Sequence, residues 1–193
     1  MSDTQTRIPL RTIDDAPAEA KERLVAAEKG NGFLPNLLRV LANAPTALET
    51  YQTVGAINGR ASLSLAEREA VQITAAATHG CSFCVAGHTA IAHKKAKMEP
   101  EIVDGLRAQT PLSDARLDAI ARFTEAVIAT RGAVSDQALA DFKAAGYDSQ
   151  QALEVVLGVS LATLCNFANN MAQSPLNEQL AQYAWQPNAG GAA

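Results

Sequence analysis

The sequence is poor in aromatic side chains and in charge. Phe, Tyr and Trp make up 5% of its 193 residues, so no platform for stacking nucleobases is evident. Charged residues are 19%, below the ~25% of an average domain. The net charge of -4 and pI of 5.4 argue against nucleic acid or an anionic membrane as a partner. Glycine-rich phosphate loops are missing, so no nucleotide cofactor is indicated and none is expected. Alternating β-branched runs, the signature of strands, are missing too. The N-terminus, Met1 to Arg7, has no apolar leader core, and no stretch is expected to be long enough to span a bilayer. A cytoplasmic location is the expectation, where free thiols persist.

What the chain has in quantity is alanine and other small apolar residues. A hydrophobic share of 48% predicts tightly packed helices, with further burial between subunits of a homo-oligomer. The length suits one domain with a full core. Helices are expected near 16–29, 36–43, 45–58, 65–79, 82–97, 99–108, 114–130, 135–145, 149–171 and 175–184. Pro35, Pro45, Pro100 and Pro175 mark starts, and Gly30, Gly80, Gly132 and Gly146 mark ends or turns. Ser135 and Asp148 are N-cap candidates. The organisation is therefore an arm over 1–15, one all-α domain over 16–186, and a flexible tail over 187–193.

The chemistry concentrates in Thr78-His79-Gly80-Cys81-Ser82-Phe83-Cys84-Val85-Ala86-Gly87-His88. Ser64-Leu65-Ala66-Glu67 reads as a capping box that opens a helix, which Gly80 then stops. A second helix starts around Cys81 or Ser82. At ~100° per residue, Cys81, Cys84 and His88 fall within an arc of roughly 60°, a dithiol and a proton acceptor on one face. Cys81, nearest the helix start, gains most from the macrodipole, whereas His88 lies one turn beyond Cys84. Local physics leaves open which thiol is activated. A pair at this spacing can also close into a disulfide.

Glu69 is the second unusual residue. On the helix from Leu65, an apolar arc holds Leu65, Ala70, Ile73, Ala76 and Ala77, with Glu67, Thr74 and Thr78 opposite. Glu69 falls inside the apolar arc, where an unpaired carboxylate is costly. It pairs with an arginine, reaches the surface by its stem, or is a desolvated carboxylate of raised pKa able to act as a base.

Glu69 with Cys81-x-x-Cys84-x-x-x-His88 resembles the active-site signature of the alkylhydroperoxidase D-like group, within the carboxymuconolactone decarboxylase superfamily. Phe33-Leu34-Pro35-Asn36 and Asn166-Phe167-Ala168-Asn169-Asn170 are similar to segments of its peroxidase-related branch. The resemblance spans roughly residues 33 to 185. It implies an all-α, compact multi-helix fold, a homo-oligomer (trimer or hexamer), and reduction of organic hydroperoxides through the dithiol. It assigns Cys84 as the peroxidatic nucleophile, Cys81 as the resolving thiol, and Glu69 with His88 as the proton relay. An external dithiol, thioredoxin-like or lipoyl-type, is the implied reductant. Members of this type often carry a histidine between the cysteines, where this chain has Phe83.

Three alternatives stand beside this. A zinc site could use the Cys-x-x-Cys pair, but His79 and His93 are the only other histidines. His93 lies about 140° around the helix from His88. A decarboxylase or lactone-processing enzyme would use His88 without the dithiol. A non-enzymatic redox sensor would oxidise without turnover. Cys165 reads as a small buried hydrophobe. Asn166, Asn169 and Asn170 form a polar stripe that bonds across a helix interface or lines the pocket. Lys94, Lys95 and Lys97 read as solvated helix-end cations. Tyr51, Tyr147, Tyr183 and Trp185 read as packing residues or an entrance lining. Ser160 and Thr163 lack catalytic neighbours.

Overall fold

A computed structural model describes residues 6–187, and its architecture is all-α. The helices are α1 (Ala18–Asn31), α2 (Asn36–Leu41), α3 (Pro45–Asn58), α4 (Leu65–Thr78), α5 (Ser82–Ile91), α6 (Pro100–Ala108), α7 (Ala115–Thr130), α8 (Asp136–Ala144) and α9 (Ser149–Ala172). Local chemistry sets most boundaries. The capping box at Ser64 is formed with Glu67, a second joins Asp148 to Gln151, and Ser135 caps α8. Pro45 and Pro100 occupy first helical positions, where their missing N–H is not needed. The expected arm and tail lie partly outside the described residues, at 1–5 and 188–193. Within the described part, the arm is docked: Arg7 N–H donates to Ala172 O, and Arg39 Nε donates to Arg11 O.

Four expectations need correction. The expected helix over 82–97 is α-helical only to Ile91; Ala92–Ala96 forms a π turn that Lys97 leaves in the left-handed conformation, φ 54°. The expected helix over 175–184 is a single 3-10 piece, Glu178–Tyr183. The wheel of α4 predicted a polar outer side, but Glu67 and Thr74 are 7% and 1% exposed. Helix α4 packs against α5, α6, α7 and α9 and is enclosed on nearly all sides, so a two-faced wheel cannot describe it. Finally, α9, 24 residues long with an 18-residue stretch of mean hydropathy 1.5, is long and apolar enough by length and composition to cross a membrane. Here its inner face packs against α2, α3, α4, α5 and α7, and its outer face is left exposed.

Two apolar cores share α4. One gathers Leu24, Leu37, Leu48, Phe83, Val85 and the three cysteines. The other gathers Ile73, Val103, Ile120, Phe123, Phe142 and Tyr147, and its last three rings stack at centroid distances of 4.3 and 4.4 Å.

Candidate active site

The site is built on the corner between α4 and α5. Gly80 takes φ 65°, its N–H donates to Ala77 O, and the Cys81 N–H donates to Ala76 O. This Schellman closure demands a left-handed residue that glycine supplies without strain. It turns the chain so that Cys81 becomes the N-cap of α5, one residue outside the helix, with its side chain fully buried. Cys84 lies in the first turn of α5, and His88 follows one turn later. His88 Nδ1 and Glu69 Oε2 are 2.8 Å apart, an α4 to α5 bridge with Glu69 only 5% exposed. Glu69 therefore partners a histidine; it neither meets an arginine nor reaches the surface.

Cys84 and His88 line an open cleft of about 540 Å³, with Tyr51, Phe83, Cys165 and Leu180 among its walls. Cys81 does not line it. All three cysteines are free thiols.

Electrostatics separates the two thiols. The Cys84 pKa is lowered to about 7, the neighbouring Cys81 thiol being the largest cause, and burial opposes this. The charge of His88 and amide donors from Asn169 and Asn166 add to the lowering, with Asn169 Nδ2 at 3.3 Å from Cys84 Sγ. Cys81 moves strongly the other way, because its proton is held in the bond to Cys84 and because it is buried. The macrodipole argument for Cys81 is outweighed: burial acts against a thiolate at Cys81, while the His88 charge and the Asn169 amide act for one at Cys84. Burial pulls the His88 pKa down, but the Glu69 carboxylate outweighs it and the net direction is up. Burial pushes Cys165 and Tyr51 upward, so both stay protonated at neutral pH.

The structure thus gathers Glu69, Cys81, Cys84 and His88 at one corner. It adds side chains whose role the sequence left open. Asn169 reaches Cys84, Asn166 Oδ1 lies 2.9 Å from His79 Nδ1, and Asn170 Nδ2 donates to His79 O. Their spacing as a stripe on one helix was the only signal. His93 stacks on Tyr183 at 6.0 Å, away from His88. Among the described residues, no three or more His, Cys, Asp or Glu converge as a metal site.

Residues 44–131 match the Carboxymuconolactone decarboxylase family, a segment that holds Glu69, Cys81, Cys84 and His88. Just under half of the chain is thus similar to that family. Asn166 and Asn169 lie outside the family's matched segment. The fold is similar to the alkylhydroperoxidase AhpD core of an uncharacterized peroxidase-related protein from Ralstonia eutropha JMP134, with a TM-score of 0.81 and 20% identity over 91% of this chain and 94% of that one. A peroxidase-related protein from Silicibacter sp. TM1040 gives 0.78 and 17% over 92% and 94%. The debrominase Bmp8, in complex with 2,3,4-tribromopyrrole, gives 0.73 and 16% over 95% and 96%. At these identities the likeness speaks for an all-α, AhpD-like fold alone. No curated protein sequence matches significantly.

Proposed function

We propose that the protein is a thiol-dependent peroxidase that reduces organic hydroperoxides, with Cys84 as nucleophile, Cys81 as resolving thiol, and Glu69 with His88 as proton relay. One observation carries the reading: the thiol with the lowered pKa, Cys84, is also the one that faces the cleft. Its thiolate attacks one oxygen of the hydroperoxide, an S–O bond forms, and the O–O bond breaks. The departing alkoxide takes a proton supplied from His88, whose charge Glu69 supports, and leaves as the alcohol. Cys84 is left as a sulfenic acid. The Cys81 sulfur then attacks it, a disulfide forms, and the oxygen leaves as water. An external dithiol, thioredoxin-like or lipoyl-type, returns two electrons and two protons by exchange. The same reading includes a homo-oligomer: Leu153, Val156, Phe167 and Met171 on the outer side of α9 are exposed, which favours burial against another copy.

The test is consumption of cumene hydroperoxide with dithiothreitol by the full-length protein. Cys84→Ser lowers the rate by roughly 10³-fold or more, and one equivalent of peroxide converts wild type to a Cys81–Cys84 disulfide, about two mass units lighter. A double Cys→Ser protein as fast as wild type would overturn the reading. Dithiol-dependent bromide release from 2,3,4-tribromopyrrole, with no peroxide consumed, would replace it by a debrominase.

A further inference from the structure

Among the described residues and apart from Cys84 and His88, the only ionisable side chains with a full charge that line the cleft are Lys94 and Lys95. Along α5 and the π turn, Cys84, His88, Ile91 and Lys95 recur at four-, three- and four-residue steps, and all line the cleft, together with Lys94. No aspartate or glutamate lines it, although the chain carries 20 acidic residues against 16 basic ones. Neither lysine has a carboxylate partner among the described residues. The Lys94 Nζ sits 5.5 Å from the centroid of the Tyr183 ring, on the 3-10 segment whose Gln179 and Leu180 form a wall. The rest of the lining is mostly apolar, with Phe33, Leu38, Phe83 and Ile91.

The π turn matters to this arrangement. Its i→i+5 winding puts an extra residue into the turn and changes the direction in which Lys94 and Lys95 project, compared with an uninterrupted α-helix. Such turns are irregularities that recur at functional sites. Eleven residues separate Cys84 from Lys95, a helical rise of about 16 Å. An acyl chain bridges that span; a cumyl or tert-butyl group does not.

We infer that the cleft takes an anionic amphiphile, the hydroperoxide of a long-chain carboxylic acid, with the peroxide at Cys84 and the carboxylate at Lys94 and Lys95. The inference rests on the peroxidase reading for the fate of the substrate and on the cleft alone for its class. The apolar walls take the hydrocarbon, and two solvent-facing cations select the charged end. Because these charges are exposed, the selection weakens as salt screens them. The product is the corresponding hydroxy acid, with the carboxylate untouched.

Two measurements separate the inference from the reading beneath it. The first compares kcat/KM for a C18 fatty-acid hydroperoxide and its methyl ester, with dithiothreitol as reductant. Wild type prefers the free acid by roughly tenfold at low salt, and Lys94→Glu with Lys95→Glu brings the acid-to-ester ratio to one or below. Lys94→Met with Lys95→Met gives an intermediate ratio. The second is calorimetric binding of the non-reactive C18 hydroxy acid and its methyl ester, which needs no turnover. Reduction of cumene hydroperoxide with equal ratios for acid and ester overturns the inference and leaves the peroxidase reading standing. Preferred binding of the hydroxy acid, lost in the double glutamate variant, supports the ligand class even if no hydroperoxide is reduced. A lysine effect confined to the dithiol half-reaction assigns the lysines to the reductant and overturns the inference.

Discussion

Glu67 and Glu69 sit two residues apart on α4, and both are buried, 7% and 5% exposed. They face opposite cores and have opposite fates. Glu67 accepts from Arg116 Nε at 2.9 Å and from the Ser64 N–H of its capping box. Burial raises its pKa, but Ser64 and Arg116 outweigh this and hold it below the ordinary carboxylate value. Among the described residues, Glu69 meets only an imidazole. A guanidinium never releases its proton, so the Glu67 corner is locked in one charge state. An imidazole does, so the Glu69 corner can change state near neutral pH. The lesson is that burial does not mark a catalytic carboxylate; the identity of its partner does.

Exchanging each carboxylate for its amide breaks that comparison most directly. Glu69→Gln keeps the shape but removes the charge that holds His88 up, and hydroperoxide turnover falls by roughly 10²-fold with little change in melting temperature. Glu67→Gln does the reverse. It weakens a cap and leaves Arg116 without its carboxylate, lowering stability by about 1–2 kcal/mol in thermal or urea unfolding, while activity per folded molecule is kept. Asn169→Ala tests whether the tuning extends beyond the pair. The pKa of Cys84 rises by about one unit, read from thiolate absorbance against pH.

The smallest effect is in the pH dependence of stability. The folded pKa of His88 is above its ordinary 6.5, so its contribution is complete below that value and is lost as pH rises through the folded pKa. The folded pKa of Glu67 is below its ordinary 4.5, so its contribution is present above that value and is lost as pH falls through the folded pKa. The melting difference between wild type and Glu69→Gln therefore shrinks toward alkali, and that for Glu67→Gln shrinks toward acid. Each change is a few tenths of a kcal/mol to about 1 kcal/mol.

Much of this was legible in the sequence where the interactions are short-range. The capping box, the Gly80 turn, the α5 start and the grouping of Cys81, Cys84 and His88 all follow from spacings of a few residues. Glu69 stood out because it broke an apolar arc. The reading failed where burial comes from several directions at once. With α4 enclosed, Glu67 and Thr74 could not be told from solvent-facing residues, and a wheel cannot name Arg116 as the partner. The direction in which Lys94 and Lys95 project depends on a π turn that leaves no mark in residue spacing. Asn169 was visible only as part of a polar stripe, because its target lies 85 residues away.

That last separation has a consequence for how the protein is made. Glu69 and His88 are 19 residues apart and belong to successive helices, so an emerging chain can join them before α9 is available. Asn169 and Cys165 arrive only with α9. The nascent chain therefore carries its dithiol through a further 85 residues of synthesis before the amide donor and the last wall of the cleft exist. Full tuning of Cys84 is in this sense a certificate of completed folding.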